Sequence, residues 1–216
     1  MGLDNSLKIR EFLSFGENDF YFVQLIKRRK DNPDMSKDVK IIKSYYINSF
    51  DDYNNLIPKI IETCDRENCR AYIRLNKRNY NKLALKLIAE TAQLASNSND
   101  LRSLPNLFDS VAGQFSSDPD KKWIVDVDWK DLEKMNDYIF KNGDTIDLIY
   151  GASETAKILS TLQMLQIGAR KEPMMELIRT KNGFHVVTRP FNLHIFAKQY
   201  PNIQVHKDNM TLIYSP

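Results

Sequence analysis

KKWIVDVDWK, residues 121–130, decides how this chain is read. Its β-branched and aromatic residues predict a strand over 123–129, and two aspartates sit one residue apart inside it. Side chains alternate across a strand, so Asp126 and Asp128 share one face while Trp123, Val125, Val127 and Trp129 share the other. A buried, unpaired carboxylate is costly, and two side by side also repel. The pair therefore asks for something positive opposite it: a metal ion, an Arg or Lys, or water at a strand end.

Working outward, the residues after this strand alternate helix and strand. The pattern predicts a helix over 130–141 stopped by Asn142-Gly143, a strand over 145–151, and a helix over 153–168 with Ser153 as N-cap and Gly168 as stop. MELIRTKNGFHVVTRPF (175–191) reads as a β-hairpin about Asn182-Gly183, the strongest short hairpin signal. NLHIFAKQY (192–200) reads as a short helix and IQVHKDNMTLIYSP (203–216) as a final strand pair.

Before it, FYFVQLIKRR (20–29) and VKIIKSYYIN (39–48) read as strands, and SFDDYNNLIPKIIETC (49–64) as a helix that Pro58 must start, bend or break. A strand over 71–75 and an amphipathic helix over 80–95 follow. Residues 96–122 are polar and punctuated by Pro and Gly, the composition of a linker or functional loop. The order argues an α+β fold with helices on one face of a mixed sheet. The organisation expected is an N-terminal α/β module (1–95), the loop (96–122) and a second module (123–216), or one intertwined domain over 1–216.

A chain of 216 residues can bury a proper core, and its net charge of +3 permits nucleic-acid binding without demanding it. The positive charge gathers in KRRK (27–30) and RLNKR (74–78), each either a phosphate contact or a solvated face. Cys64 and Cys69 are the only cysteines and have no second pair beside them, which argues against structural zinc and reads as two ordinary thiols. No apolar run is long enough to cross a bilayer, and the first residues lack the apolar stretch of a signal peptide. The expectation is a soluble, cytoplasmic protein with no membrane partner.

Three pieces of the second half share one chemistry. Asp126 and Asp128 lie on one strand face, His185 follows the hairpin turn with Arg189 on the same predicted face, and Asp208 sits in VHKDN. Two-metal phosphoryl transfer needs two or three carboxylates around the ions and a cationic or hydrogen-bonding group for the phosphates. The order D-x-D, G-x-H, D resembles the archaeo-eukaryotic primase superfamily, which includes the primase-polymerases. WIVDVD matches its strand-borne D-x-D motif. NGFHVV matches its small-x-His motif, with Gly183 where the family usually carries Ser. VHKD stands at its third motif, with Lys207 before Asp208 where an apolar residue is usual.

The resemblance implies an RRM-like catalytic module packed beside an α/β module. It implies that Asp126, Asp128 and Asp208 are catalytic and bind Mg2+ or Mn2+, and that His185 contacts the phosphates of the incoming nucleotide. Arg179, Lys181 and Arg189 would hold phosphate oxygens, and Arg74, Lys77 and Arg78 would grip the template backbone. The implied activity is template-directed nucleotidyl transfer from nucleoside triphosphates on DNA, in replication or repair. No nucleotide-binding loop of a fused helicase is present, so a separate helicase would supply unwinding, as suits a phage or mobile-element enzyme acting in the host cytoplasm.

Each residue also has a plainer reading. Asp128 can cap the helix that follows, His185 can be a satisfied half-buried strand residue, Asn182-Gly183 makes a hairpin turn regardless, and Asp208-Asn209 can make a β-turn. Asp126 has no such alternative inside its apolar run. Two further functions stay open on the same residues: a nucleic-acid-binding accessory protein with a vestigial site, and a metal-dependent nuclease or phosphatase.

Overall fold

DFYFVQLIKR forms β2 (Asp19–Arg28), and seven consecutive residues of it, Phe20 to Ile26, are buried. A strand buried on both faces needs cover on both, and this organises the first of two units. The computed structural model describes residues 2–97, 101–129, 154–166 and 173–216. They divide into Met1–Lys121 with Asp208–Pro216, and Lys122–Lys207. The helix expected over 130–141, the strand over 145–151, the Ser153 cap and the Gly168 stop lie outside the described residues.

In the first unit β2 pairs with β3 (Val39–Ile47) and β4 (Arg70–Arg74), and a short β5 (Arg78–Asn79) joins its start. The sheet order is β1-β10-β4-β2-β3, with β1 at Leu3–Asp4 and β10 at Met210–Ser215. Helix α1 (Ser6–Glu11) is tied to α2 (Phe50–Glu67) by the Tyr53 hydroxyl donating to the Ser6 carbonyl at 2.7 Å. The ring of Phe15 meets Tyr21 and Phe50 edge-on, so these helices take the Tyr21 face of the sheet.

Pro58 neither starts nor breaks α2. Ser49 caps its first turn by accepting from the Asp52 amide at 3.0 Å, and Asn68 ends it in the left-handed region at φ 47°. Tyr53, Ile57, Ile60 and Cys64, a helical stripe, are buried on the sheet and outweigh the one backbone bond that proline removes.

The opposite face carries Phe20 and Phe22 and is covered by α3 (Tyr80–Asn97) and α4 (Leu107–Gln114). Much of 96–122 is therefore packed structure. A 3-10 turn (Leu101–Asn106) leads into α4, which buries Val111 and Ala112 against those rings. Asp109 in its first turn accepts from the Ser44 and Tyr46 hydroxyls.

The second unit is built on β6 (Trp123–Asp128), the hairpin β7 (Met175–Thr180) and β8 (Gly183–Thr188), and β9 (Gln204–His206), in the order β7-β8-β6-β9. Helix α5 (Glu154–Gln166) stands between β6 and β7 in the chain, and α6 (Leu193–Gln199) between β8 and β9. Val125, Val127, Leu177, Phe184 and Val186 from the strands share a core with Ile158, Leu162 and Phe196 from the helices.

The α+β class holds, with three corrections to its detail. Among the described residues every strand pairing is antiparallel, so the sheets are not mixed. The first unit has helices on both faces of its sheet, because β2 is apolar on both. The last two strands do not pair with each other: β9 joins β6, and β10 inserts between β1 and β4. Five of the six residues of β10 are buried, a pattern that a central strand satisfies and an exposed hairpin would not.

Candidate functional site

The apolar face of β6 goes into the core and so turns the aspartates to the other face. Register places Asp126 directly opposite His185 on β8 and Gln204 on β9, and Ile178 of β7 opposite His185. One row of side chains, Gln204, Asp126, His185 and Ile178, thus crosses all four strands. The His185 Nε2 lies 3.5 Å from Asp126 Oδ1, with the His side chain 12% and the Asp side chain 37% exposed. The neighbouring row carries His206, Ile124, Val187 and Glu176.

Asp128 occupies the same face, opposite Gly183 and at the end of β6, where the Trp129 amide donates to the Asn182 carbonyl at 2.8 Å. That closure presses the hairpin turn onto β6. A Cβ on Gly183 would collide with the Val127 carbonyl oxygen and lie 2.9 Å from the Asp128 Cα. Glycine in place of serine here is thus required by the local packing, whatever the chemistry on the face.

The structure joins Asp126, Asp128 and His185 and separates several other residues from that face. Arg179, expected to hold phosphate oxygens, is opposite Phe184 on the face of Val127, the other face from His185. Lys181 is exposed in the turn, and Arg189 follows β8 immediately, half-buried.

Asp208 belongs to the first unit. Its Oδ2 lies 2.9 Å from Nη2 of Arg78, and its Oδ1 accepts from Asn76 Nδ2 at 3.2 Å. Among the described residues no three His, Cys, Asp or Glu groups are placed to share a metal ion.

Of the three residues expected to grip a template backbone, Arg78 is buried and Arg74 and Lys77 are half-buried. Arg78 has no exposed side-chain surface, and its Nε donates to the Ala112 carbonyl at 2.7 Å. Burial holds its guanidinium below the ordinary range, and Asp208 works against that shift. Arg74 is drawn inward by its Nη1 donating to the Asp208 carbonyl at 2.7 Å. Lys77 is paired with Asp19 at 2.7 Å, which raises its ammonium pKa. Arg74 and Arg78 tie β4, β5 and α4 to the turn before β10, while Lys77 is tied to the start of β2.

The cross-strand contact of Asp126 with His185 and the place of Gln204 beside them follow from register alone, for which the one-dimensional sequence carries no signal. Compared with protein-family models, curated proteins and solved structures, the chain matches none.

Proposed function

We propose that the second unit is the catalytic module of a template-directed nucleotidyltransferase of the primase-polymerase kind, using nucleoside triphosphates and Mg2+ or Mn2+ on DNA. The observation that carries this reading is the shared face of Asp126, Asp128 and His185, with Asp126 directly across from His185. The strand order β7-β8-β6-β9, with a helix after β6 and another after β8, supports it, because that is the split β-α-β connectivity of RRM-like modules.

Two carboxylates on one strand face suit a hard divalent ion. Mg2+ is commonly held by one or two protein carboxylates, with substrate phosphates and water completing its shell. Asp126 and Asp128 would hold it, and when bound it would neutralise phosphate charge and favour ionisation of the attacking hydroxyl. His185 offers a ring N–H to a phosphate oxygen and is held in place by its contact with Asp126. The closed turn at Asn182-Gly183 fixes the end of β6, and so the position of Asp128 relative to His185.

Replacing Asp126 and Asp128 by Ala abolishes primer extension and manganese–nucleotide binding by calorimetry, while the circular dichroism spectrum stays that of the wild type. Undiminished extension by that variant overturns the proposal. A second reading, a nucleic-acid-binding accessory protein on the same scaffold, is favoured by the engagement of Asp208 with the buried Arg78. It predicts oligonucleotide binding indifferent to metal and no extension by the wild type.

A further inference from the structure

Among the described residues strand β3 is an edge of the first sheet, and its hairpin with β2 collects positive charge at Lys27, Lys40 and Lys43. Lys27 and Lys40 are direct cross-strand partners, as are Leu25 and Lys43, and Val23 and Tyr45. The register shifts between Leu25 and Ile26, which leaves Ile42 as an extra residue on β3. Partners opposite one another share a face, so this bulge brings Lys40 and Lys43 to the same side, with Lys27 and Tyr45. That side is the Tyr21 face, on which α2 packs, and at this edge Lys40 and Lys43 are exposed while Lys27 and Tyr45 are half-buried. Without the bulge Lys40 and Lys43 would point to opposite faces.

Like charges directly opposite one another destabilise a sheet, so the Lys27–Lys40 pair is a cost to the isolated protein. Lys43 Nζ lies 4.8 Å from the centre of the Tyr45 ring. Arg29, Lys30 and Lys37 are exposed at the hairpin end. Residues 27–43 hold seven Lys and Arg against three aspartates, Asp31, Asp34 and Asp38. Asp31 pairs with the buried Arg70 at 2.7 Å, and Asp38 with Arg29 at 3.7 Å.

We infer that the β2–β3 hairpin is a nucleic-acid docking strip. Lys27, Lys40 and Lys43 contact successive phosphates of a single strand, and the Tyr45 ring beside them offers a surface for an unpaired base. The strip would supply a grip that the wholly buried Arg78 does not. It rests on the proposed function only in taking nucleic acid as the polyanion, and it needs neither metal nor the carboxylates.

The test is fluorescence anisotropy of the full chain with a labelled oligonucleotide, single-stranded or in duplex, in chelator over a salt series. Lys40→Ala/Lys43→Ala is compared with Lys82→Ala/Lys198→Ala, which removes the same charge from two exposed helix positions. The hairpin variant is expected to lower the slope of log K against log salt by about 1.4 on single strands, about 0.7 for each phosphate no longer neutralised. The control variant is expected to leave it unchanged. The hairpin variant should also melt no lower than wild type, since it relieves the Lys27–Lys40 repulsion. Equal weakening in both variants reduces the effect to net charge and overturns the strip, as does tighter binding of the duplex than of the single strand, or no binding by wild type at low salt. Asp126→Ala/Asp128→Ala binds the oligonucleotide like wild type, so failure of the strip and failure of the catalytic proposal are read separately.

Discussion

Asp208→Ala separates a structural anchor from a metal ligand. The Arg78 side chain is wholly buried, and Asp208 supplies its direct ion pair at 2.9 Å; the Ala112 and Asn76 carbonyls are neutral acceptors. Truncating Asp208 leaves a buried guanidinium short of its counter-charge and takes the acceptor from Asn76 Nδ2. Breaking a buried pair from one side costs about 3–5 kcal/mol. Asp208 is one-fifth exposed and the buried Asp118 also lies in the field of Arg78, so the lower end, about 3 kcal/mol, is expected here.

For a chain of this size that corresponds to a melting temperature lower by about 6–12 °C. The assay is calorimetric melting in chelator, paired with manganese–nucleotide titration, and the variant should melt early while binding metal-nucleotide as wild type does. Unchanged or raised stability together with abolished metal binding would refute the anchor and return Asp208 to the carboxylate set.

Other outcomes follow from the same geometry. Gly183→Ser should lower the melting temperature of the second unit, because its Cβ meets the β6 backbone and forced overpacking costs about 1–3 kcal/mol; an unperturbed melt would show that the turn yields freely. The Tyr214 hydroxyl donates to Asp65 at 2.7 Å, and that bond, with burial, pushes its pKa up to about 12. A phenol raised in the folded state stabilises fully below its unfolded value near 10 and loses that contribution as pH rises toward about 12. Tyr214→Phe should therefore lower stability at neutral pH and flatten the fall between those values. An identical pH profile in the variant would remove Asp65 as the cause.

Much of the fold could be read from local pattern. The continuous apolar run of β2, the stripe of α2 and the Asn182-Gly183 turn each set an element within its own neighbourhood, and the structure places them within a few residues of the reading. The same holds for the shared face of Asp126 and Asp128, since strand alternation is a property of the backbone and Val125 and Val127 could go nowhere but the core.

What local pattern could not supply was partnership between distant residues. VHKDN looks like a hairpin turn, yet the strands on either side of it enter different sheets, because β10 needs neighbours on both edges and finds them at β1 and β4. That choice carries Asp208 to Arg78, whose buried guanidinium it pairs with. RLNKR looks like an exposed basic run, and only the pairing of β5 with β2 beneath α4 shows Arg78 to be buried. The cations on β3 share a face only because of a bulge that register alone reveals. Alternation, helical stripes and turns are written in neighbouring residues and were determined by sequence. Which carboxylate meets which cation depends on strand order and register, and the tertiary structure decided that.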